Sequence, residues 1–94
     1  MSAKRQYIVI DPHDNVATAI MPLAAGAELA TAEATITLVH PIEFGHKFAL
    51  DDIPTGAYVV KYGAPIGRAT ADIAKGDHVH VHNVADIVDE VRKG

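Results

Sequence analysis

The sequence contains no cysteine and no tryptophan. Without thiols the fold has neither disulfides nor thiolate ligands, so any metal must be held by histidine, carboxylate or carbonyl groups. Aromatic residues make up only 5% of the chain, which leaves small aliphatic side chains to build the core. Basic residues are few as well: eight Lys and Arg stand against twelve Asp and Glu, a formal charge of −4. They are scattered, so the electrostatic footprint of a nucleic-acid binder is missing. Long hydrophobic runs are also lacking. The least polar stretch, AIMPLAAGAELA (19–30), is interrupted by Pro22, Gly26 and Glu28, and MSAKRQYIVIDPHDN has no apolar signal-type segment. The expectation is a cytoplasmic protein with no nucleic-acid and no membrane partner.

Ninety-four residues make one small domain, 1–94, able to bury roughly 60–65% of the surface of its unfolded chain. One short pattern, A-x3-[LI]-x2-G-x2-[LV], occurs three times, at 19–29, 49–59 and 69–79, with its glycines at 26, 56 and 76. A glycine set three residues from an apolar residue on either side suits a tight turn that needs positive φ. Each copy therefore reads as a strand–turn–strand corner. Between the corners QYIVI (6–10), TITLVH (35–40), HKFAL (46–50), YVVKY (58–62) and HVHVHN (78–83) are β-branched or alternating runs of strand length. The prolines at 12, 22, 41, 54 and 65 mark the turns. The fold class expected is all-β, a small loop-rich domain of short strands. Only the end differs: Val84, Ile87, Val88 and Val91 fall at i, i+3, i+4 and i+7, which predicts a short C-terminal helix packed on the domain or on a partner.

Chemistry concentrates in GDHVHVHNV (76–84), where three of the six histidines occupy alternate positions. On a strand His78, His80 and His82 project from one face while Val79 and Val81 enter the other. Two such imidazoles can converge on one divalent ion, and a third ligand must come from elsewhere, with His13, His46, Asp14 and Asn15 as candidates. The alternative is a solvated, pH-sensitive row. A second cluster is basic: His46 with Lys47, and Lys61 with Tyr62, sit beside glycines at turn-to-strand joints, where a lysine ammonium can hold a carboxylate. In residues 11–19 Asp14 and Asn15 either cap a turn or face a ligand. Neither a Ser-His-Asp spacing nor a nucleotide-binding glycine loop is present.

Taken together, DNVATA, GHKFALDDIPTG, KYGAPIGRATADIAKG and HVHVHN resemble the N-terminal SAF-type domain of the altronate/galactarate dehydratase family, which includes the small subunit of sulfolactate sulfo-lyase. The resemblance covers residues 14 to 84 and implies a β-clip fold and a cytoplasmic lyase acting on sugar acids. It implies a divalent metal cofactor, Fe²⁺ first, with Mn²⁺ and Zn²⁺ as alternatives. Matched positions are Asn15, His46, Lys47, Lys61, Tyr62, Gly63, Gly67, His80, His82 and Asn83, whereas His78 and His13 lie outside the pattern. The expected roles are His80 and His82 as metal ligands, with His46, His80 and His82 as the catalytic set. Asn15, Lys47, Lys61, Tyr62 and Asn83 are expected to bind substrate. Family members carry the main catalytic portion in a larger domain or separate chain, so a large catalytic subunit is the expected partner, with self-association into a homo-oligomer also open. Rivals stand beside this reading: a non-catalytic module that binds a sugar acid or another anion, the small subunit of a sulfolactate sulfo-lyase, a purely structural subunit, and a periplasmic assembly chaperone, against which the lack of a signal-type segment counts.

Overall fold

A computed structural model of the chain describes residues 6–31 and 35–87. The described residues are all-β, in nine short strands: β1 (Tyr7–Ile8), β2 (Val16–Ala19), β3 (Glu28–Ala30), β4 (Thr35–Thr37), β5 (Lys47–Ala49), β6 (Tyr58–Lys61), β7 (Ala64–Ala69), β8 (His78–Val79) and β9 (Val84–Ala85). Three antiparallel sheets result, with orders β1-β2-β5-β8, β3-β4 and β6-β7-β9. No helix occurs among the described residues.

The repeated pattern is the organising unit, and it has a fourth, divergent copy in Leu38, Ile42, Gly45 and Phe48. All four glycines adopt φ between 82° and 87°. In each turn the residue after the glycine donates its N–H to the carbonyl three residues back, as His46 does to Glu43 and Asp77 to Ala74. The copies pair two by two. Leu23 bridges Ile42, and Ile53 bridges Ile73. Gly26 donates to Leu38 and Gly45 to Ala19, just as Gly56 donates to Ala69 and Gly76 to Ala49. Each glycine thus satisfies the carbonyl at the first position of its partner copy, which ties four local turns into two reciprocal pairs.

The apolar positions of the four copies form the core. Ala19, Leu23, Leu29, Leu38, Ile42 and Phe48 lie in one buried cluster; Ala49, Ile53, Val59, Ala69, Ile73 and Val79 lie in a second. Strands β2 and β5 run between the two clusters, because adjacent side chains point to opposite faces. Ala17 and Phe48 enter the first cluster while Val16 and Ala49 enter the second. Phe48 is fully buried and meets Tyr7 edge-to-face at 5.6 Å. Phe48→Ala is expected to cost about 3–5 kcal/mol through lost burial and a cavity, measured by urea unfolding.

Three expectations are corrected. Residues 80–83 are a turn, since the strand stops at Val79, and Val81 is 82% exposed rather than packed inside. Pro65 lies within β7, opposite Val60 beside a register shift, the kind of irregularity at which a strand tolerates a residue without an N–H. Val84 and Ala85, the expected start of the helix, are a strand paired with Ala69 and Arg68; residues 88–94, the rest of that segment, lie outside the described residues. The close approach of β9 also accounts for Gly67, where a Cβ would sit 2.3 Å from Val84 Cγ1.

Candidate metal and anion site

The corner turn ending at His46 and the short strand β8 bring residues of distant sequence together. His46 and His78, 32 residues apart, lie with Nδ1 of the first 3.0 Å from Nε2 of the second. The rings of His46, His78 and His80 stack within 14° of parallel at centroid distances of 5.2, 4.4 and 5.4 Å. One nitrogen from each of the three falls within 4.8 Å of the others. Nitrogens bound at about 2.0–2.1 Å to one ion are at most about 4.2 Å apart, so a small side-chain rotation brings these donors into range. The donor set fits a divalent transition metal with histidine ligands and open positions. Glu43 lies 3.3 Å from Nε2 of His46. With the proton on Nε2 facing that carboxylate, Nδ1 presents its lone pair toward His78.

Asn83 builds the turn that presents His80. It is 7% exposed, its Oδ1 accepts the His80 N–H at 3.0 Å and its Nδ2 donates to the His78 carbonyl at 2.8 Å. The amide expected to bind substrate is thereby committed to the backbone of the histidine segment. Asn15 is committed in the same way to Tyr58 and Val60 of β6.

The structure therefore brings together His80 and, of the candidate third ligands, His46, and adds His78, which the family pattern leaves out but the alternation H-x-H includes. His82 stands at the edge, its ring tilted 33° and 5.3 Å from that of His78. His13 is elsewhere, facing Asp11 at 3.0 Å. Asp14, offered as a third ligand, instead accepts N–H groups from Asp11 and Gly63.

Burial, reinforced by the charges of His46, His82 and His80 and opposed by Asp77, holds the His78 imidazole below its usual pKa of 6.5. It is therefore neutral at neutral pH, the form that ligates metal. An unfolded chain takes up this proton near 6.5 and the folded chain only at lower pH. In the metal-free protein the associated stability is complete above 6.5 and is lost as pH falls through the folded value. Urea unfolding of wild type and His78→Gln between about pH 5 and pH 8 is expected to show a weaker acid-side decline in the variant. Identical slopes overturn the assignment.

Beside the histidines lies a cleft of about 320 Å³ lined by Lys47, His80 and Asp86 with Val59, Ile66 and Val79. Burial, then the neighbouring Lys61 charge, pushes the Lys47 ammonium to a lower pKa, with Tyr62 opposing. Lys61 Nζ donates to the Tyr62 hydroxyl at 3.1 Å and sits 4.5 Å from the centre of that ring. An anion bound beside Lys47 would offset the unfavourable Lys61 charge.

The family model of the altronate/galactarate dehydratase SAF domain matches residues 5–87. The chain is 56% identical over 78 residues to the altronate dehydratase of Escherichia coli, covering 83% of this chain and 16% of that protein. It is 36% identical over 88 residues to the altronate dehydratase of Bacillus subtilis, 94% and 18% of the two chains. Over 43 residues it is 49% identical to the (2R)-sulfolactate sulfo-lyase subunit alpha of Chromohalobacter salexigens, 46% of either chain. The chain spans less than a fifth of the length of those two dehydratases.

Proposed function

This chain belongs to the altronate/galactarate dehydratase SAF-domain family, and on that premise we propose that it is the small subunit or N-terminal domain of a metal-dependent sugar-acid dehydratase. The observation that carries the reading is the convergence of His46, His78 and His80 next to a cleft that His80 shares with Lys47. Eliminating water from a hydroxy acid removes a proton α to a carboxylate and expels a β-hydroxyl. A divalent ion, Fe²⁺ first with Mn²⁺ or Zn²⁺ as alternatives, held by His46, His78 and His80, supplies Lewis-acid polarisation of substrate oxygens when bound. Lys47 and Lys61 offset the carboxylate charge, and the Tyr62 hydroxyl adds a hydrogen bond. His82, outside the donor set, is the acid–base group contributed by this chain. The base that takes the α-proton belongs to the larger catalytic portion.

The sulfo-lyase relative supports a second reading, in which the chain is the small subunit of a sulfolactate-type lyase and sulfite leaves in place of water. Its 43 aligned residues are 46% of each chain, so a protein named a subunit has about the length of this one. Turnover of D-altronate and of (2R)-sulfolactate by the larger catalytic chain, with and without the 94-residue chain, tests both readings. Activity is expected only with both chains present, and the substrate consumed decides between the readings. Full turnover by the 94-residue chain alone overturns them.

A further inference from the structure

The loop of residues 11–15 grips the tip of the β6–β7 hairpin through its side chains. Asp14 is 7% exposed. One carboxylate oxygen accepts the Gly63 N–H at 2.9 Å and the other the Asp11 N–H at 3.1 Å. Asn15 adds a bond from Nδ2 to the Tyr58 carbonyl at 2.9 Å and another from the Val60 N–H to Oδ1 at 2.8 Å. The loop and the tip are in close contact, since a Cβ on Gly63 would lie 2.9 Å from an Asp11 carboxylate oxygen.

At that tip Tyr62 and Gly63 have φ of 58° and 72°, and Tyr62 is the only non-glycine residue with positive φ among the described residues. A bulky aromatic side chain disfavours this conformation, which persists only where the surroundings over-determine it. Here the two-residue hairpin turn between Lys61 and Ala64 calls for positive φ at both residues, and the bond from Gly63 to buried Asp14 holds that turn in place. The result is an exposed Tyr62 whose hydroxyl and ring both engage Lys61. With the Asp14 bond removed the turn is held less firmly, and any departure from its geometry would carry the Tyr62 hydroxyl away from that ammonium.

We propose that Asp14 is a positioning residue for carboxylate recognition: by holding the Gly63 N–H it locks Tyr62 in the left-handed conformation and fixes Lys61 Nζ and the Tyr62 hydroxyl as one pair for the carboxylate of a small hydroxy acid. The inference rests on the sugar-acid reading above. It adds a residue that touches no substrate and acts through two that do, by removing the ordering cost that a loose hairpin tip would otherwise impose on binding.

The test compares wild type, Asp14→Ala and Asp14→Asn in the 94-residue chain. D-altronate is the probe, followed by NMR titration, with Zn²⁺ affinity as the control for the histidine cluster. The ring-current displacement of the Lys61 ε-methylene resonances reports directly on the Lys61–Tyr62 pair. Asp14→Ala is expected to weaken altronate binding about tenfold and abolish the displacement, with Zn²⁺ affinity unchanged. Asp14→Asn, which keeps an oxygen for the Gly63 N–H, is expected to stay within about threefold of wild type. If Asp14→Ala does not fold, Gly63→Ala supplies the same comparison, since it pushes the tip off Asp11 while leaving Asp14 in place. Unchanged altronate affinity in Asp14→Ala, or a parallel fall in Zn²⁺ affinity, overturns the proposal. Retention of the Lys61 displacement in that variant overturns the positioning role alone. No shift in wild type with D-altronate or with (2R)-sulfolactate overturns the proposed function and with it the carboxylate role of the pair.

Discussion

His46→Ala, His78→Ala and His80→Ala are each expected to weaken Zn²⁺ or Fe²⁺ binding by the 94-residue chain about a hundredfold or more, while His82→Ala stays within about threefold. Each of the first three removes one of the donors that converge within 4.8 Å. Losing a direct ligand costs more than the 10–100-fold typical of losing a group that merely orients one. Glu43→Gln, which weakens only the contact to His46 Nε2, is expected at the low end of that range, about tenfold. Anaerobic calorimetric titration of the five variants checks the ordering. The informative contrast is His78 against His82. If His82→Ala abolishes binding and His78→Ala does not, the site is the His80–His82 pair expected from the family pattern, and the cluster of His46, His78 and His80 is only a stack of rings.

The second large effect is on stability. Gly76→Ala is expected to destabilise the chain by about 2–5 kcal/mol, adding left-handed strain of about 1–2 kcal/mol to an overpacking cost of about 1–3 kcal/mol. A Cβ there would lie 2.2 Å from the carbonyl oxygen of Thr37 and 3.3 Å from Ile36 Cγ2, at φ +87°. The nearest atoms belong to the Thr37 backbone, which leaves little to yield. Gly26→Ala is the internal control, because its φ of +82° is nearly the same but nothing lies within 4 Å of the added carbon. Only the strain remains, about 1–2 kcal/mol. Since 1 kcal/mol moves the midpoint of a chain of this size by roughly 4–8 °C, thermal unfolding separates the two. Equal shifts would show that the packing against Thr37 is loose. Because Gly76 opens the turn that leads into β8, its loss also carries His78 away from His46.

The two pairs of corners show how far local pattern carries. Three copies of the motif were legible because a glycine with positive φ and two flanking apolar residues leave a periodic trace. The fourth was hidden by two substitutions, Leu38 for alanine and Phe48 for leucine or valine, which keep the burial but break the spelling. The residues that failed expectation failed for tertiary reasons. His80, Val81 and His82 alternate like a strand, yet Asn83 folds back on the His78 carbonyl and the His80 N–H and closes a turn. Asn15 and Asn83 were recognised as important, but only the hydrogen bonds show that their amides serve the backbone.

What the sequence determined by itself is what local chemistry can encode: an all-β chain, corners set by glycine, a core of small aliphatic groups, a surplus of imidazole near one end and no thiol to compete with it. The tertiary structure alone decided which imidazoles meet and which of them shares a cleft with Lys47. His46 and His78 come within 3.0 Å only because β5 pairs with β8, and Asp14 reaches Gly63 across 49 residues. A side chain's type is local, but its neighbours are chosen by strand pairing and by the burial of two clusters around one sheet. Function here depends on those neighbours.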